Sequence, residues 1–507
     1  MATFVRKVEE REQVEPDRGT APGGSASRTQ ESIGQAQGSA FSAGFLAGLV
    51  LVCDVAAILL CGVAGHFLYP SGPDFTFAQN LAAIGVFGAF TILALKSTGM
   101  YHFAAIVAPG RQAFRIAGLL LLIFLTLATA ATAFEPVPVF SAMWTWALLW
   151  ILSTVTVVVL FRALVARFVR SLARKGRLGR RILIYGATVQ AKKLIERIEQ
   201  LAEPWNYVIG VFDDRVSRVG TSFGRYPVMG NLDDLIAWGR EHALDEVLVA
   251  LPWSAQSRVL EVTRLLAVLP ANVRLCPEVL DDEISHGRAS HHFGLPMWNA
   301  FEKPLEGWDA IGKRCFDIVF SGVVLLAATP LFLVLAALIK LESRGPVLFK
   351  QRRYGFNNEV IEVYKFRSMK QEFSDPDAKK LTERDDPRVT RLGKLMRRTS
   401  LDELPQMLNV MRGEMSVVGP RPHALRTTAG GKMCEDVVDR YSRRHRVRPG
   451  VTGWAQVNGY RGTMQDEEHL RKRIDHDLYY INNWSPWLDV KILALTLWIV
   501  IGGRNSY

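Results

Sequence analysis

The chain has 507 residues, too many for one ordinary domain. Hydrophobic residues make up 49% of it, yet the formal net charge is +12, which suits a protein partly in a bilayer and partly against anionic lipid. A basic balance also suits nucleic-acid binders, but the absence of zinc-finger spacing or any nucleic-acid module signature, with apolar runs this long, excludes that class.

Residues 1–40 are rich in Ser, Gly, Gln and charge and read as a disordered cytoplasmic tail. No apolar core follows the first basic residues closely, so a cleaved signal peptide is not expected. Four apolar segments occupy residues 41–170: Gly44–Leu68, Phe77–Leu95, Ile116–Phe134 and Trp144–Val165. Each approaches the roughly 20 residues that cross hydrocarbon, which predicts a four-helix transmembrane bundle. Lys96, Arg111 and Arg115 lie in the middle link, and a dense basic run from Arg162 to Arg181 follows the fourth segment. The links 68–77 and 134–144 carry no Lys or Arg, so both ends of the bundle should face the cytoplasm. The cysteines Cys53, Cys61, Cys276, Cys315 and Cys434 are scattered without metal spacing, as in a reduced compartment.

Residues 180–280 alternate strand-like and helix-like stretches. Strands are expected at Arg181–Gly186, Tyr207–Phe212, Glu246–Leu251 and Asn272–Cys276, with helices at Val189–Leu201, Asn231–His242 and Ser254–Leu269. That alternation predicts a parallel sheet with helices on both faces, a Rossmann-like α/β domain that looks like a CoA-binding module. Only Gly186 stands of the G-x-G-x-x-G set, so a structural, regulatory or oligomerising role is favoured over a nucleotide with Asp213 on its ribose. Such a module could build a homodimer. Residues 281–312 read as a connector, with His291 and His292 as loop residues.

The segment Phe316–Ile339 is long enough to span, at about 36 Å as a straight helix. Thr329 and Pro330 fall near its middle, and basic residues flank both ends: Lys313 and Arg314 before, Lys340 and Arg344 after. Proline breaks a helix bond, and positive flanks on both sides favour two cytoplasmic ends. A re-entrant helix over 316–340, turning at Thr329 and Pro330, satisfies both. Near the C-terminus Ile492–Ile501 is too short to span and suits the interface, with Trp484 and Trp487 at headgroup level.

The most informative stretch is Arg397-Arg398-Thr399-Ser400-Leu401-Asp402-Glu403-Leu404-Pro405-Gln406. Ser-x-x-Glu alone is a capping box. Here two arginines precede the paired acids, Arg421 follows in Val418-Gly419-Pro420-Arg421-Pro422, and Pro405 stiffens a helix start. Paired carboxylates among arginines suit a diphosphate site.

Residues 313–507 resemble the bacterial sugar transferase domain of the monotopic polyprenyl-phosphate phosphoglycosyltransferases. The resemblance is carried by Lys313–Asp317, Tyr364–Met369, Ser400–Gln406, Gly413–Pro422 and Arg448–Gly459, five motifs in order. The full layout resembles the long, exopolysaccharide-initiating hexose-1-phosphate transferases. The resemblance implies an α-rich catalytic domain on the cytoplasmic face of a bacterial inner membrane, with the re-entrant helix. It further implies that Asp402 attacks the β-phosphorus of a UDP-sugar, expels UMP, and passes the phosphosugar to undecaprenyl phosphate. Glucose is the sugar expected by family frequency. Glu403 would bind Mg²⁺ with Asp402 or assist proton movement, in keeping with the few carboxylates Mg²⁺ takes beside phosphates.

Arg397, Arg421 and Arg448 are candidates for holding phosphates, with Lys365, Arg367 and Asp477 as further substrate-binding candidates. Arg398 reads as surface. The glycines of Arg448–Trp454 suit either a backbone that approaches a ligand or an ordinary tight turn, and Trp454 suits either uracil or the lipid interface. Two alternatives carry different signatures. A glycosyltransferase releasing UDP would use an Asp-x-Asp, for which Asp375–Asp377 and Asp475–Asp477 are available. A non-enzymatic membrane sensor or scaffold would not need Asp402.

Overall fold

The computed structural model describes residues 43–68, 77–101, 103–107, 109–132, 140–174, 179–201, 205–276, 290–293, 295–370, 386–425, 428–429, 432–434, 438, 440–460, 462 and 466–501. The tail and the Asp375–Asp377 triplet lie outside these residues.

The four apolar segments form helices α1 (Ala43–Leu68), α2 (Phe77–Ser97), α4 (Pro109–Thr132) and α5 (Phe140–Arg174), with the short α3 (Phe103–Val107) between α2 and α4. They close on one apolar core that includes Ile58, Ile84, Phe87, Ile116, Leu120, Trp150 and Val158. The opposite faces, with Leu60, Leu93, Leu122 and Leu152, stay exposed, as a bundle in lipid requires. Leu46–Leu68, Asn80–Ser97 and Leu148–Leu172 are long and apolar enough to cross a membrane; the apolar stretch of α4, Gln112–Leu127, is shorter. The protein is a membrane protein. Inside the bundle Arg162 Nη2 meets Asp54 Oδ2 at 2.6 Å, with side chains 2% and 0% exposed. Arg162 Nη1 also donates to Met100 O, so one cation ties α1, α5 and the turn after α2. Buried charges in a membrane bundle persist only when paired in this way.

The middle domain follows the expected alternation closely. Strands β1 (Arg180–Tyr185), β2 (Asn206–Phe212), β3 (Glu246–Val249) and β4 (Asn272–Leu275) alternate with helices α6 (Val189–Gln200), α7 (Leu232–Glu241) and α8 (Gln256–Leu266). The four strands run parallel in the order β2-β1-β3-β4. Alternation along β1 sends Ile182 and Ile184 to the α6 face, and Leu183 and Tyr185 to the α7–α8 face, so both faces are covered. Residues expected as a connector depart from that reading. They form β5 (Ser290–His292) and β6 (Leu295–Phe301), and β6 extends the sheet antiparallel to β4. The period-2 burial of Leu295 and Met297 was the missed signal.

Helix α9 (Gly307–Glu342) runs 36 residues, about 54 Å of contour. The chain stays helical through Pro330, where a break was expected. Proline removes a single backbone bond, and the Thr329 hydroxyl donates to Leu325 O at 2.8 Å. Both halves of α9 dock on the same domain. Phe320, Val324 and Leu325 join Val363, Val410 and Val417 in one cluster. Phe332, Leu335 and Ile339 join Phe366 and Met396 in another. Val363 and Phe366 lie about 10 Å apart on one strand. The remaining face, with Val319, Val323, Leu326, Leu333 and Leu341, is exposed and apolar. At its start Trp308 sits where a side chain on Gly48 of α1 would stand, so the bundle and this domain touch.

The C-terminal domain continues with the hairpin β7 (Leu348–Tyr354) and β8 (Val360–Phe366), then α10 (Arg391–Thr399), α11 (Gln406–Arg412) and β9 (Ser416–Val418). After the 3₁₀ segment Tyr441–Arg446 come β10 (Gly450–Thr452), α12 (Trp454–Val457), α13 (Glu467–Asn482) and α14 (Pro486–Ile501). The last is the expected short apolar helix, with Trp487 and Trp498 exposed and Ile492 buried. Trp484 instead turns inward and donates to Asp489 at 3.3 Å.

Candidate active site

The acid pair sits in a hinge between two helices. The Thr390 hydroxyl caps α10, and Gly393 lets that helix press on the Ser368 backbone, where a Cβ would fall 2.1 Å from Ser368 O. Helix α10 ends at Ser400, which is left-handed at φ +59°. A non-glycine residue held there stores strain, a common trait of functional turns. Ser400 makes no side-chain cap, so the capping box does not form; Leu401–Glu403 is a 3₁₀ turn. Pro405 then stands at the N-cap position of α11. Asn409 fixes α11 to β8 by accepting from Tyr364 N at 2.9 Å and donating to Glu362 O at 2.7 Å.

Asp402 is 8% exposed and its carboxylate makes no hydrogen bond among the described residues. Burial pushes it up to about 6, the Glu403 charge adds to that, and Lys365, Arg397 and Arg421 oppose it. Glu403 is held differently. It accepts Lys365 Nζ at 3.2 Å and Arg421 Nη1 at 3.0 Å, and Arg421 Nη2 closes a two-pronged grip on the same carboxylate. Burial presses Lys365 down to about 8 against the pull of Glu403, with Arg353 and Arg421 pushing the same way as burial. Arg353 is pressed down to about 10, first by burial and then by Arg421, and donates to Gln351 Oε1 and Pro422 O. Arg397 is anchored on Ser368 Oγ at 2.9 Å. Arg398 is exposed. The arrangement is a carboxylate with no hydrogen bond among the described residues, faced by Lys365, Arg397 and Arg421, with a second carboxylate fixed beside it.

The other expected site residues lie further out. Asp477 is buried against Arg444 at 2.7 Å, and Arg444 Nη2 also donates to Arg421 O at 2.6 Å. Asp477 therefore stands behind Arg421, not beside the dyad. Its partner in the Asp-x-Asp triplet, Asp475, is exposed, so the two acids do not converge on one metal. Arg367 donates to Ser343 O at 2.7 Å and caps the C-terminal end of α9. The charged neighbours of Arg448 are Arg314 and Asp317, at the base of α9. The glycines of its motif face protein: a Cβ on Gly450 would fall 2.0 Å from Gly419 N, and one on Gly453 would fall 2.2 Å from Gly419 O. They allow β9 and β10 to pair in parallel and so place Arg421. Trp454 packs on Tyr479 and under Lys491. Arg353 and Arg444 were not foreseen, because an arginine in a basic run gives no sign that it is buried.

Among the described residues no group of three or more His, Cys, Asp or Glu side chains forms a metal cage. A Mg²⁺ that takes most of its ligands from phosphate and water needs no cage. Asp402 fits as its single protein carboxylate; Glu403 does not in this arrangement, since Lys365 and Arg421 occupy it.

The bacterial sugar transferase family matches residues 308–503, and a CoA-binding domain matches residues 96–277. The undecaprenyl-phosphate glucose phosphotransferase of Komagataeibacter xylinus is 43% identical over 333 residues, 65% of this chain and 61% of that protein. The UDP-glucose:undecaprenyl-phosphate glucose-1-phosphate transferase of Escherichia coli K12 is 37% identical over 331 residues, 65% of this chain and 69% of that protein. Its namesake in Klebsiella pneumoniae is 35% identical over 363 residues, 71% of this chain and 76% of that protein. The chain belongs to the bacterial sugar transferase family. The transferase carries its Ser400–Gln406 and Gly413–Pro422 motifs within the matched region, at the carboxylate pair and at the arginine that grips it.

Proposed function

We propose that the transferase moves glucose 1-phosphate from UDP-glucose to undecaprenyl phosphate at the inner face of a bacterial inner membrane, and so starts an exopolysaccharide. The relatives' names supply the donor and acceptor. The observation that carries the chemistry is the buried, unbonded Asp402 carboxylate beside Lys365, Arg397 and Arg421. A carboxylate is a competent nucleophile toward phosphorus, and phosphoryl transfer is governed by positioning and charge neutralisation.

In the first step an Asp402 oxygen forms a bond to the β-phosphorus and the bond to UMP breaks, with the electron pair leaving on UMP. In the second, an oxygen of the lipid phosphate bonds to the same phosphorus, and Asp402 is released as carboxylate. Lys365, Arg397 and Arg421 offset the charge on the phosphoryl oxygens. Glu403 keeps Lys365 and Arg421 aimed at it. A Mg²⁺ arriving with the donor would be held by Asp402 and would neutralise diphosphate charge. One diphosphate ester replaces another, so the reaction is expected to run backwards with UMP.

The acceptor is lipid-borne, and helix α9 is read as re-entrant. Both of its halves dock on the catalytic domain while its outer face stays apolar, which suits a helix that dips into one leaflet. The test is intact mass spectrometry of the full chain with UDP-glucose alone. A hexose-phosphate adduct on Asp402 and stoichiometric UMP support the reading. UDP as the leaving group, or turnover by Asp402→Asn, overturns it.

A further inference from the structure

We propose that the middle domain is a positioning element for the transfer site, acting on Arg421 through the 3₁₀ segment Tyr441–Arg446. The inference rests on the function just given.

Three arginines within four residues of this segment divide between two domains. Arg443 donates to Arg264 O at 3.2 Å. Arg446 donates to Leu269 O at 3.1 Å and to Glu302 O. Both guanidinium groups also lie over the Phe301 ring. Between them in sequence, Arg444 points the other way, to Asp477 and to the main-chain oxygen of Arg421. Arg421 in turn grips Glu403. The path from the middle domain to the acid pair therefore runs through one 3₁₀ segment and two guanidinium groups, those of Arg444 and Arg421.

The contact is built for fixed geometry. Its acceptors are backbone carbonyls, four of them (Gly239, Arg240, Arg264 and Leu269) in or just beyond the last turns of α7 and α8, where a helix presents unpaired C=O groups and negative partial charge. Asn357, in the turn before β8, adds two bonds to the same region, from Nδ2 to Gly239 O at 3.1 Å and Arg240 O at 3.0 Å. It holds a left-handed backbone at φ +53°, and its turn lies against Tyr441–Arg446 through the rings of Tyr354 and His445. Arg444 and Arg446 are buried, so this segment cannot shift without moving both domains' contacts. Arg443, Arg446 and Asn357 are positioning residues in this account, since none touches the acid pair.

The test uses the full chain in lipid nanodiscs, with Arg443→Ala/Arg446→Ala as the principal variant. Asn357→Gly is the second: it removes the amide and keeps the left-handed backbone at no steric strain. Arg443→Lys/Arg446→Lys is the conservative partner, and Arg225→Ala, an exposed pair with Glu199 elsewhere on the middle domain, is the control. Amide exchange is read first. Both decoupling variants should exchange at least about tenfold faster at 400–406 and 416–422, while β1 and β3 stay protected. UMP release from UDP-glucose is read second. The kcat should fall about tenfold to a hundredfold with the donor KM within about twofold, as expected for a misplaced catalytic group. The lysine pair should recover part of the loss, and Arg225→Ala should match the parent. Unchanged exchange at 400–406 and 416–422 in a variant whose 264–269 amides have loosened overturns the proposal, as does an unchanged kcat. If the parent chain releases no UMP, the functional reading fails, and the exchange result still decides the coupling.

Discussion

Two buried charged clusters lie in the same C-terminal domain and are built on opposite rules. At the base of α9, Lys313 bridges Asp317 at 3.2 Å and Asp489 at 2.8 Å. Asp317 further accepts Ser416 Oγ and Val417 N, and Asp489 accepts Tyr480 and Trp484. Among the described residues, none of these side chains leaves a buried polar atom unpartnered. Around the acid pair the balance is different. Among the described residues Asp402 is unbonded, and behind Arg421 the buried Arg444 leaves guanidinium N–H groups without partners. Cations there outnumber the acids that could satisfy them. A closed network specifies structure, because breaking it strands a charge; an open one keeps interaction capacity for a ligand. The difference separates the motif that anchors α9 from the motif proposed to perform transfer.

Substitutions should divide along that line. Asp402→Asn removes the nucleophile with little change of shape, and UMP release should fall by more than about a thousandfold while the protein stays folded. Asp317→Ala should do the reverse. It leaves Lys313 and two donors of β9 facing a gap, a loss of about 3–5 kcal/mol in stability visible as early thermal unfolding. A variant that folds normally but is inactive would move this cluster into the site. Arg421→Lys keeps the charge and loses the two-pronged grip on Glu403. About a hundredfold loss in kcat/KM is expected, with little change in unfolding temperature.

The fold was largely legible in the sequence because its signals are periodic. Apolar runs gave the bundle, and the alternation of the middle domain gave each parallel strand and each helix to within a few residues. What stayed hidden is set by long-range packing. Nothing local marks Gly450 as the partner of Gly419, so close backbone contact read equally well as an approach to a ligand. Likewise, Tyr441–Arg446 has the composition of a solvated basic face and is buried between two domains. The acid pair stands out in the sequence because two adjacent carboxylates among arginines are unusual in themselves. Arg367 and Arg448 were grouped with it by charge, yet one caps α9 and the other stands beside Arg314 and Asp317. Charge type is written in a sequence; the direction a guanidinium faces is not.

The smallest expected effect, and the one that probes the open cluster directly, is its dependence on pH. Asp402 must be ionised to attack and is raised by burial to about 6, so kcat/KM should fall tenfold per pH unit below that value. Lys365 must be cationic to steady the phosphates and is lowered by burial to about 8, so a second decline should begin there. Stability should follow Asp402 with the opposite sign. A carboxyl whose folded value lies above its ordinary 3.8 favours folding fully below 3.8, and that contribution is lost as pH rises through about 6. At neutral pH the ionised form thus costs up to about 3 kcal/mol. Asp402→Asn should therefore unfold at a higher temperature than the parent at pH 7, and the gap should close near pH 4, where the parent's carboxyl is already neutral. A gap that persists at pH 4 would mean that shape, not the buried charge, sets the stability of this hinge.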